Sequence, residues 1–83
     1  MKHFASTEFW CHYHRQPQAV RELADKNFLL LKSNPRHPSI RLKKVGKVWT
    51  ARVGLHYRVV GEDHPDGIFW YWIGSHATYD KIT

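Results

Sequence analysis

Ile68-Phe69-Trp70-Tyr71-Trp72-Ile73 is an unbroken run of six apolar or aromatic residues bounded by Gly67 and Gly74. Six residues are too few for an ordinary helix, and these are strong strand formers. The run therefore predicts a strand buried on both faces, at the centre of a sheet. Such a strand demands a neighbour on each edge and a layer packed over it. Where it ends, the chain leaves the core through Ser75-His76-Ala77-Thr78-Tyr79-Asp80-Lys81, which puts a histidine, a tyrosine and an aspartate at the exit.

The rest of the chain supplies the neighbours and the layer. Lys2 to Ala5 reads as a short, edge-like first strand, after which Ser6 or Thr7 caps a helix through His14 with Phe9, Trp10 and Tyr13 on one face. Gln16-Pro17 interrupts, with Pro17 at a first helical position. A second helix then runs from Pro17 to about Lys32, because Val20, Leu23, Ala24, Phe28, Leu30 and Leu31 repeat at three-and-four spacing, with Asn27 the one interruption. Pro35 and Pro38 end the helical part. Beyond them the period changes to two: Ile40 and Leu42 alternate with Arg41 and Lys43; Trp49, Ala51 and Val53 with Thr50 and Arg52; Leu55, Tyr57 and Val59 with His56 and Arg58. Glu62 to Gly67 reads as a hairpin loop closing on the turn pair Asp66-Gly67. The fold class expected is α+β, in the order β-α-α-β-β-β, with an N-terminal helical hairpin on one face of a small, mainly antiparallel sheet. Eighty-three residues make one domain, 1–83, and a chain of this size needs the dense core that its twelve aromatics provide.

Charge adds a second constraint. Between Lys26 and Gly61 there is no acid, while nine bases occur in that stretch, and the whole chain carries +6. A one-signed field attracts a polyanion, either nucleic acid or an acidic protein segment. Cys11 is the lone cysteine, so no disulfide can form within the chain. Met1 to Ser6 lacks the apolar core of a signal peptide, and no apolar run reaches membrane-spanning length. The expectation is a cytoplasmic protein with no membrane partner.

Strand alternation places the candidate residues. With Trp49, Ala51 and Val53 turned to the helices, Arg52 faces away, and the same reasoning turns His56 and Arg58 outward with Lys43 or Lys44 nearby. His76 and Tyr79, leaving the central strand, can fold over that basic face. Metal-free cleavage of RNA needs a proton acceptor for the 2′-hydroxyl, a proton donor for the departing 5′-oxygen and cations for the phosphate charge. Histidine and arginine suit those tasks, and tyrosine can stack a base. The same residues also suit a binding module without catalysis, or simply a capped strand end and a solvated cationic face. Seven histidines raise the question of metal. His12 and His14, two apart on a helix, point to different faces, and no His-Glu-x-x-His or Cys-x-x-Cys spacing occurs, so neither a metal nor a small-molecule cofactor is expected.

Three strings carry a family likeness: Arg41-Leu42-Lys43-Lys44-Val45-Gly46, Trp49-Thr50-Ala51-Arg52-Val53-Gly54-Leu55-His56-Tyr57-Arg58, and Trp70-Tyr71-Trp72-Ile73-Gly74-Ser75-His76-Ala77-Thr78-Tyr79-Asp80. Together they resemble toxins of the RelE/ParE superfamily of bacterial type II toxin-antitoxin systems, whose fold is that of the microbial RNases. The resemblance spans nearly the whole chain. It implies one of two activities, ribosome-associated cleavage of mRNA without metal, or inhibition of DNA gyrase, and a cognate acidic antitoxin as partner. Carried over, Arg52, Arg58, His76 and Tyr79 take the catalytic positions and Lys43 and Lys44 the RNA contacts; His56 on the outward face and the neighbouring Arg41 are further candidate RNA contacts. Ser75-His76-Ala77 stands where many relatives have consecutive bases, which leaves His76 as the proton-transfer candidate of that segment.

Overall fold

A computed structural model describes residues 2–82, the side chain of Ile82 excepted; Met1 and Thr83, the ends of the expected domain, lie outside the described residues. The elements are β1 (Lys2–Ala5), α1 (Thr7–His14), α2 (Gln18–Ser33), β2 (Lys43–Val45), β3 (Val48–Val53), β4 (Tyr57–His64), β5 (Gly67–Ser75) and α3 (His76–Ile82). They form one five-stranded sheet in the order β1-β5-β4-β3-β2, antiparallel except where β1 runs parallel to β5. The α+β class and the helices-first order hold; a three-residue β2 and a short terminal helix complete them.

The apolar run becomes β5, with β4 on one edge and β1 on the other. β1 pairs only with Gly67 to Trp70. Beyond it, α1 takes over the same edge: the Ser6 amide donates to the Trp70 carbonyl at 2.9 Å, and Gln16 Nε2 donates to the Ile73 carbonyl at 3.3 Å. Ser6 is also the helix cap, its Oγ accepting from the Phe9 amide at 3.0 Å. One residue of chain thus ends β1, starts α1 and continues the edge of β5.

α1 and α2 cover one face only. Ile68, Trp70 and Ile73 of β5 are buried under them with Ala51 and Val53 of β3 and Ala24 and Leu31 of α2, joined by Ile40 from the connecting loop. Phe69 and Tyr71 are 37% and 38% exposed, so the strand is not buried on both faces. With α1 and α2 both on one side, nothing comparable covers the other. A bulge opposite Val60/Gly61 explains why Trp70 and Ile73, three residues apart, share the helix face: Gly61 pairs with Trp70, but Val60 pairs with Trp72. The extra residue shifts the phase of β5 by one from that point on.

Other expectations are corrected in detail. Pro17 is the cap residue before α2 rather than its first residue. The loop expected over Glu62 to Gly67 contracts to Pro65-Asp66, because β4 continues to His64 and pairs it with Gly67. Gly67 is required there for a close approach rather than for the turn: a Cβ on it would meet the Lys2 carbonyl oxygen, where β1 enters the sheet. Ile40-Arg41-Leu42 is not strand, since Arg41 has a φ of +48° and β2 starts at Lys43. Leu55 and His56 form the β3–β4 turn, and Leu55 is 78% exposed.

Two stability experiments follow from this packing. Ile73→Ala should cost about 3 kcal/mol, the usual size of a buried isoleucine truncation, whereas Tyr71→Ala should cost less than about 1, as judged by urea unfolding. The second concerns His3, which packs edge-on to Phe28 and parallel to Trp70, its Nδ1 accepting from Trp70 Nε1 at 3.1 Å. Burial first, and the Lys32 ammonium after it, hold this imidazole below its ordinary pKa of 6.5. The fold thus favours the neutral ring, whose contribution is complete above the unfolded pKa and is lost as pH falls through the lower folded one. The urea midpoint should drop on acidification to about pH 5, and drop less in His3→Gln.

Candidate nucleic-acid and catalytic surface

The open face of the sheet, opposite the helices, carries the candidate residues. Arg52 and Arg58 are cross-strand partners, flanked by Gly74 of β5 on the far side of Arg58. Lys43 pairs with Thr50, the residue two before Arg52, which places it on the same face. Partners in adjacent strands sit about 5 Å apart, where like charges repel. Yet neither guanidinium has a carboxylate partner among the described residues. The Arg58 guanidinium instead lies 5.3 Å above the Tyr79 ring.

What holds Arg52 comes from outside the sheet. β2 is too short to pair with it, so its amide donates to the Ile40 carbonyl at 2.7 Å and its carbonyl accepts from Asn27 Nδ2 at 3.3 Å. Asn27, the polar break in the apolar face of α2, therefore satisfies a backbone group at the margin of the core and fixes the strand that presents Arg52. The sequence signalled the break but not its partner.

The exit from β5 is shaped by small groups. Ser75 caps α3, its Oγ accepting from the Thr78 amide at 3.1 Å. The His76 amide donates to the His56 carbonyl at 2.7 Å, fastening the helix to the β3–β4 turn. His56 thus approaches the site from a turn rather than from a strand face. His76 stacks on Tyr79, with ring centroids 6.4 Å apart at 19°, and its Nε2 lies 3.6 Å from Asp80 Oδ1. Tyr79 also meets Trp72 at 6.3 Å. Gly74 makes room for this arrangement, because a Cβ there would stand 2.5 Å from Trp72 Cζ2. Trp72 belongs to the run expected to be buried on both faces. The bulge turns it to the open face, and no alternation within an all-apolar run could have signalled that.

Two residues of the expected set are elsewhere. Lys44 lies across β2 from Lys43, on the other side of the sheet, paired with Asp63 at 3.2 Å and 5.5 Å above the Trp49 ring. The Asp63 carboxyl is held below its ordinary range by the hydrogen bond from Trp49 Nε1 and then by Lys44. Arg41 lies beside Pro35, His37 and Trp49, in the loop before β2. The best-formed cavity, about 340 Å³, is also on the helix side, between α1, α2 and the sheet. It is lined mainly by apolar side chains, with Asp25, Asn27 and Arg52 at its margin, and Arg58, His76 and Tyr79 take no part in its lining. Among the described residues no three histidine, cysteine, aspartate or glutamate side chains gather as a metal site would require, and no helix is long and apolar enough to cross a membrane.

Residues 18–81, from the start of α2 through α3, match the model of the ParE-like toxin domain. The chain belongs to this family. Every residue of the open-face site falls in the matched stretch. No curated protein sequence matches the chain. Its fold is similar to that of a chain of the RelB-RelE antitoxin-toxin complex from Methanococcus jannaschii, with a TM-score of 0.72 at 19% identity, covering 96% of this chain and 99% of that one. It is also similar to the YoeB/ParE toxin from Agrobacterium tumefaciens, with a TM-score of 0.66 at 15% identity, covering 92% and 99%. The isolated RelE toxin of E. coli gives 0.62 at 15%, covering 96% and 93%.

In this ParE-like toxin domain the facing arginines should reveal themselves through stability. Replacing one member of a like-charged cross-strand pair removes repulsion, so Arg52→Gln should leave the free protein as stable as the parent or raise it by about 0.5 kcal/mol. A short polyphosphate should raise the melting temperature of the parent, and the same change should reduce that rise. A loss of stability in Arg52→Gln would mean that the guanidinium is structural.

Proposed function

We propose that the protein is a cytoplasmic, metal-independent endoribonuclease toxin, one domain over residues 1–83, that cuts mRNA at the ribosome and so stops translation. One observation carries this reading: Arg52 and Arg58, cross-strand partners with no carboxylate partner among the described residues, lie beside a helix that brings an imidazole, a carboxylate and a phenol to the same face.

In this reading the scissile phosphate lies across Arg52 and Arg58, whose charge offsets the negative charge that gathers on the phosphate oxygens as the 2′-oxygen attacks phosphorus. His76 exchanges the proton, either taking it from the 2′-hydroxyl or giving it to the 5′-oxygen as the P–O bond breaks. Asp80, 3.6 Å from its Nε2, orients the ring and stabilises it when charged. Tyr79, held between Arg58, Trp72 and His76, stacks against a base or helps place the proton. Lys43 extends the cationic track along the RNA; Lys44, His56 and Arg41 take no part in the phosphate site.

An acidic antitoxin is the proposed protein partner. The basic open face gives it an electrostatic target. Trp10, Phe28 and Leu29 of the helices, 47%, 41% and 64% exposed, give it an apolar one. The antitoxin-toxin complex among the similar folds supports such a partner.

Induction should arrest growth and produce mRNA cuts mappable by primer extension. Both should vanish in His76→Ala, since loss of a proton-transfer group typically lowers the rate by about 10²–10⁴-fold. Cutting retained by that variant would reject the assignment. The family description favours one second reading, inhibition of DNA gyrase. That activity would show as an SOS response with intact mRNA and indifference to His76→Ala.

A further inference from the structure

The open face carries a second cluster at its other end. Pairing across the strands sets Val48, Glu62, Phe69 and Phe4 in one row over β3, β4, β5 and β1. His64, two residues beyond Glu62 on β4, shares this face. Its ring lies 4.7 Å from that of Phe4 and 6.5 Å from that of Phe69, nearly parallel to the latter at 24°. Phe69 remains 37% exposed. Glu62, in the middle of the row, is exposed and has no hydrogen-bond or ion-pair partner among the described residues, although the chain is strongly basic. Lys44 goes to Asp63 on the opposite face.

Aromatic side chains on a bare sheet face fit the π-face of any nucleobase, and such stacking contributes about 1–3 kcal/mol per base. The carboxylate narrows the choice, since an ionised carboxylate only accepts hydrogen bonds. Guanine offers two adjacent N–H donors on its Watson–Crick edge, which matches two carboxylate oxygens. Adenine and cytosine offer one amino group beside an acceptor, which would repel the second oxygen. A phosphate is disfavoured next to Glu62, so a base rather than the backbone belongs there. A second copy of this chain docked by a two-fold axis on the same row would bring Glu62 against its own equivalent.

We propose that Phe69, His64 and Phe4 stack a base and that the Glu62 carboxylate selects guanine. This subsite lies about 13 Å from the arginine pair, four residues along β4 from Arg58 at about 3.3 Å each. The proposal rests on the reading of that pair as the RNA site, and it makes the open face a reader of sequence as well as a cutter.

The test is a titration of the isotope-labelled full chain with 2′-O-methyl hexanucleotides, which lack the attacking hydroxyl and differ at one position, guanosine, inosine or adenosine. Amide shifts near Arg52, Arg58 and His76 are expected with all three, and shifts from Glu62 to Phe69 with the guanosine hexamer. That hexamer should bind about tenfold or more tightly than the adenosine one, the size of a bidentate base contact. Inosine, without the second donor, should fall between. Glu62→Gln should bring the guanosine hexamer down to the adenosine affinity. Equal binding of all three, with shifts at the arginines, would overturn the subsite and leave the RNA site standing. No binding by any hexamer would overturn both. Concentration-dependent dimerisation with shifts along the row in the absence of RNA would assign the face to a second copy and overturn it as well.

Discussion

The structure depends on β5 having a hydrogen-bonded partner along each edge while presenting only one apolar face to the helices. β4 supplies one edge along the whole strand. The other is shared between β1 and the Ser6 and Gln16 groups at the two ends of α1. That division forces the first helix to run alongside the strand it serves. The bulge opposite Val60/Gly61 then lets the strand change phase without breaking. Without the extra residue, Ile73 would point to water, and Trp72 and Gly74 would point into the core. The bulge both completes the core and builds the site.

The site stands against the electrostatics of the free protein. Arginines paired across two strands with no carboxylate partner among the described residues are unfavourable by themselves, and they persist because the backbone around them is fixed for other reasons: Arg52 by Ile40 and Asn27, Arg58 by the centre of the sheet and the ring of Tyr79. Groups that cost stability in the free state and are relieved by an anion are what a phosphate-binding surface requires. The same field would draw an acidic protein segment as readily as a nucleic acid. An acidic segment and an RNA strand would compete for one patch of charge, which gives a physical basis for silencing by occupancy.

Much of this was legible in the residues. Ser6 as a cap, the three-and-four repeat of α2, the alternation Trp49-Ala51-Val53 and the outward turn of Arg52 and Arg58 all follow from local periodicity, and the structure keeps them. The errors cluster where alternation was extended past its physical support. Alternation makes Arg41 strand although its backbone turns left-handed, and it carries Leu55 and His56 through what is a turn; it leaves open which of Lys43 and Lys44 shares the basic face, and the register chooses Lys43. Trp72 escaped because an all-apolar run carries no phase.

The sequence by itself determined the order and kind of most elements, the strand at the centre, and a polyanion-attracting charge distribution, because these depend on residue type and short-range period. Only the tertiary structure decided which residues meet. It paired Arg52 with Arg58 in register, brought Asn27 to the Arg52 carbonyl across 25 positions of chain, turned Trp72 outward through a bulge, and folded Tyr79 back onto Arg58. Each of those outcomes depends on strand register and on how helices dock to satisfy a free edge. Those are properties of the packed molecule that no single stretch of the chain contains.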